Sequence, residues 1–298
     1  MGKKTVGVAM GGLSREREIS LESGHAVLKA LSELGLRTVA LDPLQENWHR
    51  PLLSGEVDVV FNAIHGHPGE DGVLQGFLEM LGIPYTGSGV LASALAMDKL
   101  KSKRLWRSCG LPTPPWVELK GPASIEEAVS RLGLPLIVKP AAEGSSIGVS
   151  RIESPEELEA RLGRSEGERL FAERWIEGKE YTAAFVGDRW LPLVRIETGR
   201  DFFDYEAKYL SEETRYWIPS GLPPEEERRL QELSRKACEI LSVEGWGRVD
   251  LMVDREGEPW LLEVNTVPGL TPKSLVPKAA RAAGIAFPQL IEMILETV

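Results

Sequence analysis

The sequence predicts a protein of mixed α/β and α+β class: an N-terminal parallel-sheet domain (1–90), a small central lobe (91–178) and a C-terminal, mainly antiparallel-sheet domain (179–298). Three observations predict it. Over the first ninety residues, short apolar strands alternate with amphipathic helices, the pattern of a parallel sheet covered on both faces. After the Pro-rich break LPTPPW (111–116) the units become smaller, and two helices open with Ser followed by Glu three residues on, the spacing of a capping box. From Lys179 the strands lengthen and follow one another as hairpins.

Length and composition agree. At about 150 residues per domain, 298 residues make two domains or three small ones. The chain is 42% hydrophobic and 27% charged, an ordinary globular balance. Its net charge of −10 opposes non-specific binding to nucleic acid or anionic lipid. No apolar run approaches the length of about 18 residues that a membrane span needs. Cys109 and Cys238 stand alone without CxxC spacing, which argues against a disulfide framework or a cysteine-built zinc site and for a reducing, cytoplasmic setting.

Taken in order, TVGVAM (5–10) reads as a buried strand, followed by a Gly-Gly turn and a helix bearing Ile19, Val27, Leu28, Leu31 and Leu34. TVALD (38–42) and DVVFNAIH (58–65) are further strands. Leu74, Phe77, Leu78 and Leu81 share one helical face. A helical stretch runs from Ser88 to Cys109, with Lys101, Lys103, Arg104 and Arg107 on a solvated side. In the central lobe, strands WVEL, LIVKP and RLFAERW alternate with helices capped at Ser124 and Ser154. A long helix (about 224–243) then precedes strands GRVDLMVD and PWLLEVN, and two short helices close the chain. The tryptophans, Trp106, Trp116 and Trp246 among them, read as packing residues, and both cysteines as buried thiols.

The sharpest chemical signal is the final hairpin. A two-residue turn at Glu256-Gly257 sets Asp250 opposite Glu263 and Arg248 opposite Asn265, all on one face. Val249, Leu251, Val253, Leu262 and Val264 then form the core face. Opposed carboxylates repel unless a cation lies between them. Oxygen ligands suit Mg²⁺ or Mn²⁺, whose remaining positions favour phosphate oxygens, so the site predicts a nucleotide. LIVKPAAEGSSIGVS (136–150) adds a strand ending in Lys139 and a Gly/Ser loop with backbone N–H groups suited to phosphate. It is not the P-loop pattern. HGHPGEDGVLQG (65–76) is a glycine-shaped loop that serves either a ligand or a helix entry. His65 and His67 there lack a third ligand for zinc. In GGLSRERE (11–18), Ser14 can cap the first helix, and Glu16 either favours its dipole or holds an ammonium.

These segments, in this order and over essentially the whole chain, resemble the D-alanine–D-alanine ligases of the ATP-grasp superfamily. The resemblance rests on GGLSREREISLESG, HGHPGEDGVLQGFLEMLGIPYTGSG, MDKLKSK, VKPAAEGSSIGVS, FFDYEAKY, GRVDLM and LEVNTVPGLTPKSLVP. It implies an ATP-grasp fold with ATP between the central and C-terminal lobes. Lys99 and Lys139 would contact its phosphates under a loop containing Ser145 and Ser146, and Lys208 would reach the γ-phosphate. Glu173 and Ile176 match positions beside adenine, and Glu180 the ribose. Asp250, Glu263 and Asn265 match ligands of two Mg²⁺ or Mn²⁺ ions. Glu16, linked through Ser145 and Tyr209, would anchor the first D-alanine, in a pocket lined by His65. Arg248 and the Gly269 N–H would hold an oxyanion, and Ser274 and Leu275 the second D-alanine. The implied partners are ATP, D-alanine and a second copy of the chain. Departures are few: Arg15, His67-Pro68 and Thr271-Pro272-Lys273. D-lactate or D-serine as second substrate, and a non-catalytic nucleotide-binding module, are the competing readings.

Overall fold

The computed structural model describes residues 4–144, 147–165, 167–198 and 214–298. The first sheet is parallel and three-stranded. Strand β1 (Thr5–Ala9), buried along its whole length, lies between β2 (Arg37–Leu41) and β3 (Val59–Asn62). Helix α1 (Arg17–Glu33) joins β1 to β2 and turns Ile19, Val27, Ala30 and Leu31 inward. The one-turn α2 (Arg50–Leu53) leads to β3, and α3 (Val73–Leu81) follows. The expected cap at Ser14 is displaced. Helix α1 has Glu16 at its N-cap with no side-chain cap, while the Ser14 hydroxyl donates to the His65 carbonyl (2.7 Å) and accepts from the Glu16 N–H (3.1 Å).

The stretch read as one helix from Ser88 to Cys109 is two, α4 (Val90–Met97) and α5 (Lys99–Ser108). Asp98 breaks it. Its backbone is extended and its carboxylate accepts from the Lys101 N–H at 3.1 Å, a side-chain cap that starts a new helix. The break sets the Lys99 N–H on the Ala141 carbonyl (2.8 Å).

The central sheet is antiparallel, in the order β4 (Trp116–Leu119), β7 (Leu170–Arg174), β5 (Leu136–Pro140), β6 (Ser150–Ile152). Helices α6 (Pro122–Leu132) and α7 (Pro155–Gly163) cover it. Ser154 caps α7 as expected. Ser124 does not cap α6. It sits inside the first turn and accepts from the N–H of Gly121, the actual cap residue, because Pro122 suits the first helical position.

The third sheet runs β11 (Arg215–Trp217), β10 (Val194–Glu197), β8 (Gly178–Val186), β12 (Trp246–Asp254), β13 (Pro259–Asn265), with β9 (Arg189–Trp190) on β8. Helix α8 (Pro224–Ile240) packs on it, and α9 (Leu275–Ala282) and α10 (Phe287–Leu295) end the chain. The hairpin β12–β13 pairs Asp250 with Glu263 and Arg248 with Asn265, as the sequence predicts. Its turn differs. Asp254 pairs with Glu258 around three residues, Arg255 to Gly257, because the Asp254 carboxylate accepts the N–H groups of Glu256 and Glu258 and Gly257 takes a positive φ of 87°. A bulge between Asp250 and Leu251 absorbs the offset. In consequence Leu261 enters the core, and Leu262, expected there, lines a cavity on the opposite face.

Packing divides unevenly. One core joins the first sheet to the third: Val8, Phe61 and Val27 pack with Trp246, Val267, Leu270 and the apolar faces of α9 and α10. The central sheet has its own core, centred on Leu136, Val138, Leu158 and Ala172. Trp106 and Trp246 are fully buried, as expected of packing residues. Cys238 is a buried thiol, whereas Cys109 is exposed, at the C-terminal end of α5. No helix among the described residues is long and apolar enough to cross a membrane.

Candidate active site

A cavity of about 510 Å³ lies between the central and third sheets. Its lining is mixed: Ile137, Val149, Ile176, Met252 and Leu262 supply apolar surface, and Lys99, Asp250 and Glu263 a charged group. Lys139, Glu173 and Glu180 also line it. Seven residues singled out in the sequence therefore meet in one space. Lys99 comes from the start of α5, Lys139 from β5, Glu173 from β7, Glu180 from β8, Asp250 and Glu263 from β12 and β13, and Ile176 from the β7–β8 connection.

The charged group is built by register. The Asp250 carboxylate accepts from Arg248 Nε at 3.1 Å and from the hydroxyl of Thr182, its neighbour across β8. Lys99 Nζ lies 3.1 Å from Glu263 Oε2 and donates to the Glu143 carbonyl at 2.6 Å. Asn265, opposite Arg248, accepts from the Val267 N–H through its side-chain oxygen. Carboxylate, carboxylate and amide oxygens on one face are the donor set of a hard divalent cation, so these residues fit Mg²⁺ or Mn²⁺.

Deeper in the wall, Glu173 sits between two ammonium groups: Lys139 Nζ at 2.6 Å from one oxygen and Lys103 Nζ at 2.5 Å from the other. Burial alone would raise its pKa, but the two lysines outweigh that and hold it below the usual carboxylate range. Lys103, expected on a solvated helix side, is instead fully buried. Burial pulls its pKa down to about 8 against the attraction of Glu173. It follows Lys99 by four residues, and that one-turn spacing was the signal that could have found it. Thr182 and Trp175 were also missed. Thr182 is visible only once β8 is aligned on β12, and Trp175, stacked under Arg151 at 4.9 Å, carries no motif of its own.

A second polar cluster joins the first sheet to the loop after β13. His65 is buried, its Nδ1 2.7 Å from the Val267 carbonyl and its Nε2 3.0 Å from Ser23 Oγ. A carbonyl can only accept, so Nδ1 carries the proton. Burial lowers the pKa of His65 despite the nearby Glu16, which makes the neutral ring the resident form. Glu70 accepts the Gly66 N–H at 2.9 Å, and burial, then Glu16, push it up to about 8. Glu16, at the start of α1, is buried and close to the Gly/Ser loop: a Cβ on Gly144 would lie 2.4 Å from its carboxylate. Only glycine lets that loop approach. His67 points away and pairs with Asp71 at 2.6 Å.

Gly269 and Ser274 are neighbours across a tight turn, and Ser274 Oγ accepts the Thr271 N–H at 3.2 Å. The Leu275 side chain is buried in the shared core, so its backbone is the part able to meet a ligand. Ser145, Ser146, Lys208 and Tyr209 lie outside the described residues.

Comparison with known proteins agrees with this geometry. Residues 105–296 match the family model "D-ala D-ala ligase C-terminus", and residues 42–88 the "D-ala D-ala ligase N-terminus". The chain is 55% identical to a D-alanine–D-alanine ligase of Methylococcus capsulatus, over 98% of this chain and 95% of that protein. Its fold is similar to the Bacillus anthracis D-alanine–D-alanine ligase complexed with ATP (TM-score 0.85, 34% identity, 99% and 97% of the two chains). It is similar too to the VanG D-Ala:D-Ser ligase of Enterococcus faecalis (TM-score 0.85, 29% identity, 99% of each chain). Whole-chain identity above half, with both halves of the fold matched, means that the chain belongs to the D-alanine–D-alanine ligase family.

Proposed function

We propose that this chain uses ATP to join two D-alanines through a D-alanyl phosphate, giving D-alanyl-D-alanine, ADP and phosphate for peptidoglycan precursor synthesis. One observation carries the reading: a single cavity combines an apolar lining with a charged group in which Lys99 pairs with Glu263, and Glu263 lies opposite Asp250. The slot accepts a purine beside Glu173 and Ile176, Glu180 the ribose, and Lys99 and Lys139 the phosphates. Asp250, Glu263 and Asn265 would hold Mg²⁺ or Mn²⁺, two ions in this proposal, which when bound neutralise charge on the transferring phosphoryl group.

Glu16 holds the ammonium of the first D-alanine, whose carboxylate oxygen attacks the γ-phosphorus as the bond to ADP breaks. The second D-alanine, as its free amine, then attacks the acyl carbon. Arg248 and the Gly269 N–H stabilise the oxyanion until phosphate leaves and the nitrogen gives up its proton. Neutral His65 lines the first pocket without adding charge. Ser274 and the Leu275 backbone receive the second carboxylate. Closure by the segments bearing Ser145, Ser146, Lys208 and Tyr209 would keep water from the acyl phosphate. The working form in this proposal is a cytoplasmic homodimer, organised as 1–90, 91–178 and 179–298.

Phosphate release with ATP and Mg²⁺, measured with and without D-alanine, tests the reading. Release should depend on D-alanine and fall at least about a hundredfold in Asp250→Asn, equivalent to about 2.7 kcal/mol of lost transition-state stabilisation. Release indifferent to D-alanine rejects it. The likeness to a D-Ala:D-Ser ligase keeps a second substrate class in view. Product analysis with D-alanine, D-serine and D-lactate in competition should return the D-alanine dipeptide as the main product.

A further inference from the structure

Lys103 stands behind the cavity wall. It is fully buried and does not line the cavity, yet its Nζ contacts three oxygens: Glu173 Oε2 at 2.5 Å, Thr113 Oγ1 at 2.5 Å and the Pro114 carbonyl at 3.3 Å. Thr113 Oγ1 and the Pro114 carbonyl accept hydrogen bonds from it, while Glu173 Oε2, buried with no hydrogen-bond partner of its own, pairs with its charge. The Thr113 hydroxyl donates in turn to the Leu261 carbonyl at 2.9 Å, so α5, the 111–115 crossing and β13 fix the lysine jointly. A buried ion pair is weak evidence for stability, since an apolar side chain of similar volume often serves the fold as well. What the lysine does supply is a fixed, ionised Glu173.

Glu173 lines a cavity whose apolar surface comes from Ile137, its partner across β5, and from Val149, Ile176, Met252 and Leu262. Oε2 is enclosed against Lys103, which leaves Oε1, paired with Lys139, to accept from a donor in the slot. An ionised carboxylate only accepts. A planar base edged against it must donate, as the 6-amino group of adenine does and the 6-oxo group of hypoxanthine does not. Lys139 lines the cavity and is free to turn toward a phosphate; Lys103 is not. With Lys139 so engaged, Lys103 alone keeps Glu173 ionised, where burial would otherwise protonate it into a donor.

We propose that Lys103 is a positioning residue for nucleotide selection: by fixing the Glu173 carboxylate at the cavity wall, it makes the site prefer a 6-amino over a 6-oxo purine triphosphate without touching the nucleotide. This rests on the reading that the cavity takes ATP.

The test compares ATP with inosine triphosphate in the wild type, Lys103→Met and Lys103→Arg, using D-alanine-dependent phosphate release. K103M should lower kcat/KM for ATP about tenfold or more, mainly through KM, as expected for loss of an oriented charge-assisted hydrogen bond. KM for D-alanine and kcat/KM for inosine triphosphate should hold within about twofold, so the ATP preference collapses, and K103R should recover part of it. Parallel losses with both nucleotides, or a matching rise in KM for D-alanine, overturn the proposal. If K103M does not fold, Thr113→Val, which removes one of the lysine's three anchors, should narrow the ATP preference about threefold; an unchanged ratio overturns it. Calorimetric binding of the two nucleotides to the full chain separates the two questions. A wild type without D-alanine-dependent turnover sinks the functional reading, whereas equal discrimination by wild type and K103M sinks this one.

Discussion

Glu70 and His65 show how one loop residue can set a pH response. Their nearest polar atoms are 4.0 Å apart, both are buried, and Glu70 is raised from 4.5 to about 8. Between those values the native protein keeps a proton that the unfolded chain has released, so Glu70 makes stability fall as pH rises from about 4.5 to about 8. Lys103, lowered from 10.5 to about 8, acts above that window and with the opposite sign, adding stability as pH rises from about 8 to 10.5. Urea midpoints of the wild type should therefore decline from pH 5 to pH 8 relative to those of Glu70→Gln. Parallel curves for the two proteins would show that Glu70 titrates normally. Asp250, Glu263 and Lys139 were legible in the sequence because strand alternation and a glycine-rich loop mark them. Lys103 was not, because a lysine's burial depends on which element covers its helix face, and no local pattern records that.

The hairpin of β12 and β13 explains a partial success. The sequence pairs Asp250 with Glu263 correctly but assumes a straight ladder from a two-residue turn; the structure has a three-residue turn and a compensating bulge. Alternation is a parity signal, so one extra residue in β13 reverses that strand's assignments between the turn and the bulge and none beyond it, while Leu251 and Val253 of β12 keep the core face. Leu261 and Leu262 exchange roles as a result. Leu261→Ala, in the core, should cost about 2–5 kcal/mol in chemical denaturation and leave KM for ATP near the wild-type value. Leu262→Ala should do the reverse, raising KM for ATP severalfold with little loss of stability. If both substitutions act mainly on stability, Leu262 has no part in nucleotide binding. The split of the 88–109 helix was hidden for a related reason. Asp98 is tolerable within a helix and excellent at a cap, and only the contact of Lys99 with Ala141 decides between them.

Across the whole molecule, the first and third sheets share one core through Phe61, Trp246 and Val267, while the central sheet closes on its own. Sequence periodicity shows which face of an element is apolar, not which partner covers it, so the strands of the three sheets were legible and this alliance was not. Ala92, Ala96 and Trp106 of α4 and α5 enter the third sheet's core, but the central sheet itself stays outside it, tied on through the Leu261 N–H to the Pro112 carbonyl at 3.0 Å and through the Lys103 cluster. Amide exchange in β5 and β7 should therefore be faster than in β8 and β12 without nucleotide, and should slow selectively when ATP is added. Uniform protection across all three sheets would contradict that division. The separate core of the central sheet has a practical side. Warming should loosen the enzyme's hold on its fuel first, while the strand that carries Arg248 and Asp250, flanked on both edges, stays in place.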